Sequence, residues 1–112
     1  MKFQVDSIDH FEKEAKRLIK KFPSLKGEIS DLIDKLEVNP NLGVPIGNGF
    51  FKIRIAIRSK GKGKRSGARI ITFVKIVDEL VFLVSIYDKS DKTDISDAEL
   101  KSLLDQLTKD KR

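Results

Sequence analysis

Residues 50–58 read FFKIRIAIR, and this stretch decides the fold because its apolar and basic side chains alternate with a period of two. The alternation predicts a β-strand. One face of the strand would carry Phe51, Ile53, Ile55 and Ile57, and the other would carry Lys52, Arg54, Ala56 and Arg58. Because the isoleucine face needs a core, the basic face should point away from it. The stretch therefore predicts a sheet with an exposed, positively charged platform.

More strand-forming sequence surrounds this stretch. Residues 59–68 (SKGKGKRSGA) are rich in glycine and lysine and predict a mobile loop. The mostly apolar run at 69–77 (RIITFVKIV) predicts a central strand, and residues 80–87 (LVFLVSIY) predict the last strand after a tight turn at Asp78-Glu79. At the N-terminal end, residues 2–6 (KFQVD) predict a short first strand.

Two amphipathic helices lie between the first and second predicted strands. Ser7 is placed to cap a helix that Pro23 ends, and Ser24 is placed to cap a second helix that ends at Asn39-Pro40-Asn41. Their short connection predicts an antiparallel helical hairpin. A capping box at residues 96–99 (SDAE) opens a C-terminal helix. The order β-α-α-β-β-β-α predicts an α+β fold, with an antiparallel sheet that the hairpin covers on one face.

Length and composition narrow the class of protein. The 112 residues suffice for a single domain, 1–112, and the chain has no cysteine and one histidine, His10. A disulfide framework and a thiolate or multi-histidine metal site are therefore excluded. No apolar run approaches the roughly 20 residues of a membrane helix. We expect a cytoplasmic protein without membrane attachment, metal or other cofactor.

Charge is segregated along the chain. Residues 38–77 hold nine basic side chains and no Asp or Glu, whereas residues 1–37 carry eight of each sign and residues 78–112 carry six basic against nine acidic. A concentrated positive field attracts polyanions, of which nucleic acid is the commonest. The alternative is a solvated basic face, but these charges lie largely in predicted strands and not in a low-complexity tail.

The familiar catalytic sets are missing. No GxSxG, HExxH or Walker sequence occurs, and GKGKRSG at 61–67 lacks phosphate-loop spacing and joins two predicted strands. The carboxylates at 88–99 are spaced unlike an EF-hand loop, so a Mg²⁺ site there is the weaker interpretation. What remains is lysine, arginine and tyrosine, which can position and neutralise a phosphate. RNA supplies its own nucleophile in the 2′-hydroxyl, so this set suffices for RNA cleavage, although plain RNA binding would require the same residues.

A series of motifs in the second half of the chain resembles one known family. The matching pieces are Lys52-Ile53-Arg54, then GKGKRSGARI at 61–70, a hydrophobic strand, and IYDKSDKTD at 86–94. Together they are similar to toxins of the RelE/ParE superfamily, especially its HigB-like branch. The upstream strand and helical hairpin fit that family's fold, so the resemblance covers nearly the whole chain.

The resemblance implies a toxin of a type II toxin-antitoxin system, an mRNA endonuclease that enters the ribosomal A site and inhibits translation. It further implies metal-independent cleavage by the RNA 2′-hydroxyl and neutralisation by a cognate antitoxin. The catalytic positions it implies are Arg69, Tyr87, Lys89 and Lys92, with no single general base assigned. The RNA-binding positions it implies are Lys52, Arg54, Lys62, Lys64 and Arg65.

The same residues also have interpretations that involve no function. The lysines and arginines could be solvated or paired with neighbouring carboxylates, and Tyr87 could be an ordinary strand-end aromatic residue. Two other functions also fit: a ParE-type toxin that acts on DNA gyrase, since fold alone does not fix function, and a non-catalytic RNA- or ribosome-binding module. The presence of Tyr87 together with the dense series of Lys and Arg favours the nuclease over the gyrase inhibitor.

Overall fold

The computed structural model describes residues 2–60, 67–92 and 94–109. The elements in chain order are β1 (Gln4–Ser7), α1 (Asp9–Lys21), α2 (Leu25–Val38), β2 (Val44–Gly47), β3 (Phe50–Ile55), β4 (Ala68–Lys75), β5 (Leu80–Asp88) and α3 (Asp97–Lys109). Within the described residues the strands form one sheet in the order β1-β5-β4-β3-β2. β1 is parallel to β5, and the other neighbours are antiparallel. The predicted α+β class and the central position of β4 are confirmed.

The helical hairpin covers one face of the sheet, as the apolar stripes predict. Side chains at helical spacing are buried on α1 (Phe11, Ala15 and Leu18) and on α2 (Leu25, Ile29, Leu32 and Leu36). They join a core with Ile53, Ile70 and Ile86, which stand opposite one another on three neighbouring strands. Ser24 occupies the N-cap position of α2, but its hydroxyl accepts the Ser59 N–H at 2.9 Å and makes no cap hydrogen bond.

The structure contains a strand that the periodicity did not reveal. β2 pairs with the first part of β3 through a hairpin at Asn48 and Gly49, which both have positive φ, at 55° and 85°. A side chain at Gly49 would also crowd the Phe73 ring, 3.1 Å from the position of a Cβ. The Asn-Gly dipeptide was the available signal, because it favours a two-residue hairpin turn.

The predicted strand over 50–58 is too long by three residues. β3 ends at Ile55, where Gly67 approaches so closely that a Cβ on it would lie 2.0 Å from the Ile55 carbonyl oxygen. Arg58 therefore lies in a 3-10 turn and not on the basic strand face. Its Nε stands 3.2 Å from the Glu28 carboxylate of α2, so this arginine ties the turn to the helical hairpin.

The C-terminal helix begins at the predicted capping box. The Ser96 hydroxyl accepts the Glu99 N–H at 3.1 Å, and the Glu99 carboxylate accepts the Ser96 N–H at 3.0 Å. Leu103 on α3 is buried in the core. The segment that leads from β5 into α3 crosses the sheet face opposite the hairpin, since Asp94 contacts Lys52 and Tyr87 there.

Candidate functional site

Three predicted site residues form a row across the sheet. Arg54 on β3 stands opposite Arg69 on β4, and Arg69 stands opposite Tyr87 on β5. Directly opposed residues of neighbouring strands have Cβ atoms about 4.5–5.5 Å apart, so the three side chains are immediate neighbours. Lys52 points to the same face, two residues before Arg54. The sheet register thus brings two guanidinium groups, an ammonium group and a phenol together.

Arg69 lies deep in this row and not on an exposed platform. It is 4 % exposed, whereas Arg54 is exposed and Lys52 is half-buried. Burial, followed by the neighbouring charge of Arg54, lowers the pKa of Arg69, and Tyr87 and Asp94 oppose that shift. Its Nη1 donates to the Ala68 carbonyl oxygen at 3.1 Å. An arginine stays protonated in proteins despite such a shift, so Arg69 is a fixed and poorly hydrated positive charge.

Tyr87 is buried beside it as a neutral phenol. The residue is 5 % exposed, and its hydroxyl donates to Asp94 Oδ1 at 3.4 Å. Burial, and then the Asp94 carboxylate, raise the pKa of Tyr87 to about 12. The Lys92 ammonium lies over the ring, 5.1 Å from its centroid, and forms an ion pair with Glu99. At neutral pH Tyr87 is therefore a hydrogen-bond donor.

The expectation of an exposed basic platform is wrong in one respect. Arg69 and Tyr87 are both buried, and the chain after β5 returns over Tyr87, with Lys92 at its ring and Asp94 at its hydroxyl. Asp94 Oδ1 also lies 3.2 Å from Lys52 Nζ. This contact joins residues 42 positions apart in the chain, and the alternation pattern of β3 carries no information about it.

A second Lys–Asp contact, which the sequence analysis missed, lies at the base of the glycine-rich loop. Lys60 Nζ lies 2.8 Å from Asp88 Oδ1 and 2.9 Å from the Ser90 hydroxyl, and both members of the ion pair are largely buried. On the far side of the loop, the Gly67 carbonyl oxygen accepts the Lys89 N–H at 3.0 Å. Both ends of the loop are thus fixed to the turn that follows β5.

The remaining predicted positions are less well placed. Lys62, Lys64 and Arg65 lie outside the described residues. Lys89 is half-buried, and within the described part of the chain its side chain makes no hydrogen bond or ion pair. His10, which matches no predicted site position, lies 3.2 Å from Glu14 on α1.

Within residues 2–60, 67–92 and 94–109, no group of three or more His, Cys, Asp or Glu side chains is arranged to hold a metal ion. The helices of the same residues include none that is long and apolar enough to cross a membrane.

Comparison with known proteins decides the family. The sequence profile described as "RelE toxin of RelE / RelB toxin-antitoxin system" matches residues 9–110. The chain belongs to the RelE toxin family. The resemblance seen in the motif series is therefore confirmed at the level of the family, and the HigB-like branch stays a prediction. RelE toxins act in toxin-antitoxin pairs, so membership implies an antitoxin as a partner.

Solved RelE structures share the fold. A mutant of the E. coli toxin RelE in the free state aligns with a TM-score of 0.64 at 13% identity, over 96% of this chain and 99% of that chain. The isolated E. coli RelE toxin aligns with a TM-score of 0.50 at 19% identity, over 94% of this chain and 99% of that chain. At such identities the likeness supports the architecture, and any role of individual residues has to be argued from the site itself.

Proposed function

We propose that this RelE-family toxin is a ribosome-dependent mRNA endonuclease that cleaves RNA without a metal ion. The observation that carries the proposal is the row Arg54–Arg69–Tyr87 across β3, β4 and β5, with Lys52 on the same face. The row combines positive charge for a phosphate with a proton donor, and the site needs no nucleophile because RNA provides one. A pure binding surface would not require a buried arginine beside a buried phenol.

The chemistry follows from these groups. The RNA 2′-oxygen attacks the adjacent phosphorus, the bond from phosphorus to the 5′-oxygen breaks, and the products are a 2′,3′-cyclic phosphate and a 5′-hydroxyl. Negative charge grows on the phosphoryl oxygens in the transition state. Arg69, Arg54 and Lys52 would stabilise that charge, and the low hydration of Arg69 makes its contribution the strongest of the three.

Tyr87 suits proton donation better than proton abstraction. Its pKa of about 12 keeps the hydroxyl protonated at neutral pH, and the departing 5′-oxygen requires a proton. Lys92 would hold the ring in place from above, and Lys89 adds a cation near the end of β5. The residue that accepts the 2′-hydroxyl proton stays unassigned. Lys62, Lys64 and Arg65 in the loop would contact messenger or ribosomal RNA.

The biological setting follows from the family and the proposed substrate. A cognate antitoxin would neutralise the enzyme, and the ribosomal A site would present the messenger to it. Because translating ribosomes are in the cytoplasm, we place the toxin there.

The test is primer extension on a reporter mRNA during induced expression, with and without active translation. We expect discrete cuts in the coding region that vanish when translation is blocked. Arg54→Gln should weaken the cuts, and Arg17→Gln, at an exposed position of α1, is the matched control. Cuts on free RNA would contradict ribosome dependence. Growth arrest with intact mRNA would overturn the nuclease and favour gyrase inhibition or simple ribosome binding.

A further inference from the structure

One carboxylate oxygen occupies the centre of the candidate site. Asp94 Oδ1 lies 3.2 Å from Lys52 Nζ and 3.4 Å from the Tyr87 hydroxyl, and it accepts the Ile95 N–H at 2.9 Å. Lys52 comes from β3 and Tyr87 from β5, and β4 lies between these two strands. A single anionic oxygen thus contacts side chains of β3 and β5, the two strands on either side of β4. The proposed cleavage reaction assigns no role to this carboxylate.

The donors around Asp94 are those that a phosphate oxygen would take. Carboxylate and phosphate oxygens both accept charge-assisted hydrogen bonds from lysine and hydrogen bonds from a phenol. A substrate phosphate cannot reach Lys52 and Tyr87 while Asp94 holds both, because two anions would share one set of donors. The Asp94 carboxylate and the RNA phosphate therefore compete for the same binding site.

The burial of these groups indicates which of them can leave. Tyr87 is 5 % exposed and is fixed in β5, whereas the Asp94 side chain is 62% exposed and belongs to the connection between β5 and α3. Because water reaches the Asp94 carboxylate, it screens the ion pair with Lys52 and weakens it. Rotation of the Asp94 side chain towards solvent would free Lys52 and the Tyr87 hydroxyl together.

We propose that the Asp94 carboxylate occupies the phosphate-binding site of the toxin and must be displaced by an RNA phosphodiester. It lowers the affinity for RNA and keeps the cationic site neutralised when RNA is absent. The inference rests on the proposed function in one respect, since that function names RNA as the ligand.

The test is equilibrium binding of a fluorescent single-stranded DNA oligonucleotide, which carries the phosphodiester backbone but no 2′-hydroxyl and so cannot be cleaved by this chemistry. Asp94→Asn keeps an acceptor for the Ile95 N–H and removes the charge. Asp91→Asn, at an exposed position three residues away, is the matched control for net charge. We expect Asp94→Asn to bind about fivefold to tenfold more tightly than wild type, because an exposed contact and a like-charge repulsion are both removed. The control should change binding less than about twofold.

A second variant separates displacement from a general charge effect. When Lys52→Gln is already present, Asp94→Asn should give no more gain than Asp91→Asn gives. Equal effects of Asp94→Asn and Asp91→Asn in the wild-type background would overturn the proposal, as would weaker binding by Asp94→Asn. The readout is independent of cleavage. Tighter binding by Asp94→Asn without any RNA cleavage by the toxin would support the displacement of Asp94 and contradict the nuclease function. RNA cleavage without tighter binding by Asp94→Asn would support the nuclease function and contradict the displacement of Asp94.

Discussion

Two Lys–Asp ion pairs of the described residues, Lys60–Asp88 and Lys52–Asp94, differ in distance and in burial. Lys60 and Asp88 are 2.8 Å apart, with side chains 10% and 2% exposed. Lys52 and Asp94 are 3.2 Å apart, with side chains 22% and 62% exposed. Asp88 accepts a further hydrogen bond from the Ser90 N–H at 3.0 Å. The first pair is part of the fold, and the second is open to exchange with solvent and ligand.

The difference distinguishes a pair that stabilises the fold from a pair that lies in the candidate site. A buried charge needs its partner at all times, because an unpaired ion in the interior is costly. Lys60 and Asp88 therefore fix the base of the glycine-rich loop whether or not RNA is bound. An exposed pair contributes little to stability, so Lys52 and Asp94 can part when a phosphate arrives.

The largest expected effect comes from breaking the buried pair. Asp88→Asn removes the negative charge beside the buried Lys60 ammonium and should reduce the free energy of unfolding by about 3 kcal/mol. Asp94→Asn should change it by less than about 1 kcal/mol, since that pair is exposed. Urea denaturation of the two variants beside wild type measures both values. Equal losses in the two variants would show that the pairs do not differ as their burial indicates.

Low pH should weaken the buried Lys60–Asp88 pair and so lower the stability of the protein. Burial alone would raise the pKa of Asp88, but the hydrogen bonds from Lys60 and Ser90 and the Lys60 charge outweigh it and lower the pKa below its ordinary value of 3.8. A lowered folded-state pKa stabilises the protein above the unfolded value, and this stability is lost as pH falls through the folded value. Wild type should therefore lose stability below about pH 4 more steeply than Asp88→Asn does. Thermal melts from pH 5 to pH 2 would measure this, and parallel curves would contradict it.

A smaller effect is expected on the pKa of Tyr87, whose hydroxyl contacts Asp94 of the more exposed pair. Tyr87 is the only tyrosine of the chain, which has no tryptophan, so absorbance reports its ionisation alone. The phenol should titrate near its pKa of about 12 in wild type. In Asp94→Asn the midpoint should move towards 10, though not reach it, because burial is the larger cause. Circular dichroism at each pH ensures that the folded protein is being titrated. An unchanged midpoint would mean that Asp94 does not contact the phenol in solution.

Much of the fold could be predicted from local pattern. The strand alternation at β3, the apolar stripes of α1 and α2, and the capping box of α3 each depend on neighbours within a few residues. β2 was not predicted, because its four residues, of which one is proline and one glycine, carry no alternating pattern. The end of β3 could not be predicted, since it depends on the close approach of Gly67 from across the loop.

The candidate site likewise has a part that could be predicted from the sequence and a part that could not. The motif series identified Lys52, Arg54, Arg69 and Tyr87, and the register of β3, β4 and β5 brings them to one face. The burial of Arg69 and Tyr87, and the contacts of Lys52 and Tyr87 with Asp94, were not predictable from local pattern, because they join residues far apart in the chain. Lys60 and Asp88 were likewise missed, since nothing in the local sequence distinguishes a buried lysine from the exposed lysines around it.

The central claim, that the row across β3, β4 and β5 cleaves RNA, is tested most directly by removing one oxygen atom. Tyr87→Phe keeps the ring beneath Lys92 and removes the hydroxyl. On purified ribosomes programmed with a reporter mRNA, we predict that this variant cleaves about 100-fold more slowly than wild type, as expected for loss of a proton donor. Its melting temperature should stay close to that of wild type, and its oligonucleotide affinity should fall by less than about tenfold, because one hydrogen-bond donor to the phosphate is lost. A folded Tyr87→Phe protein that cleaves at the wild-type rate would contradict the account.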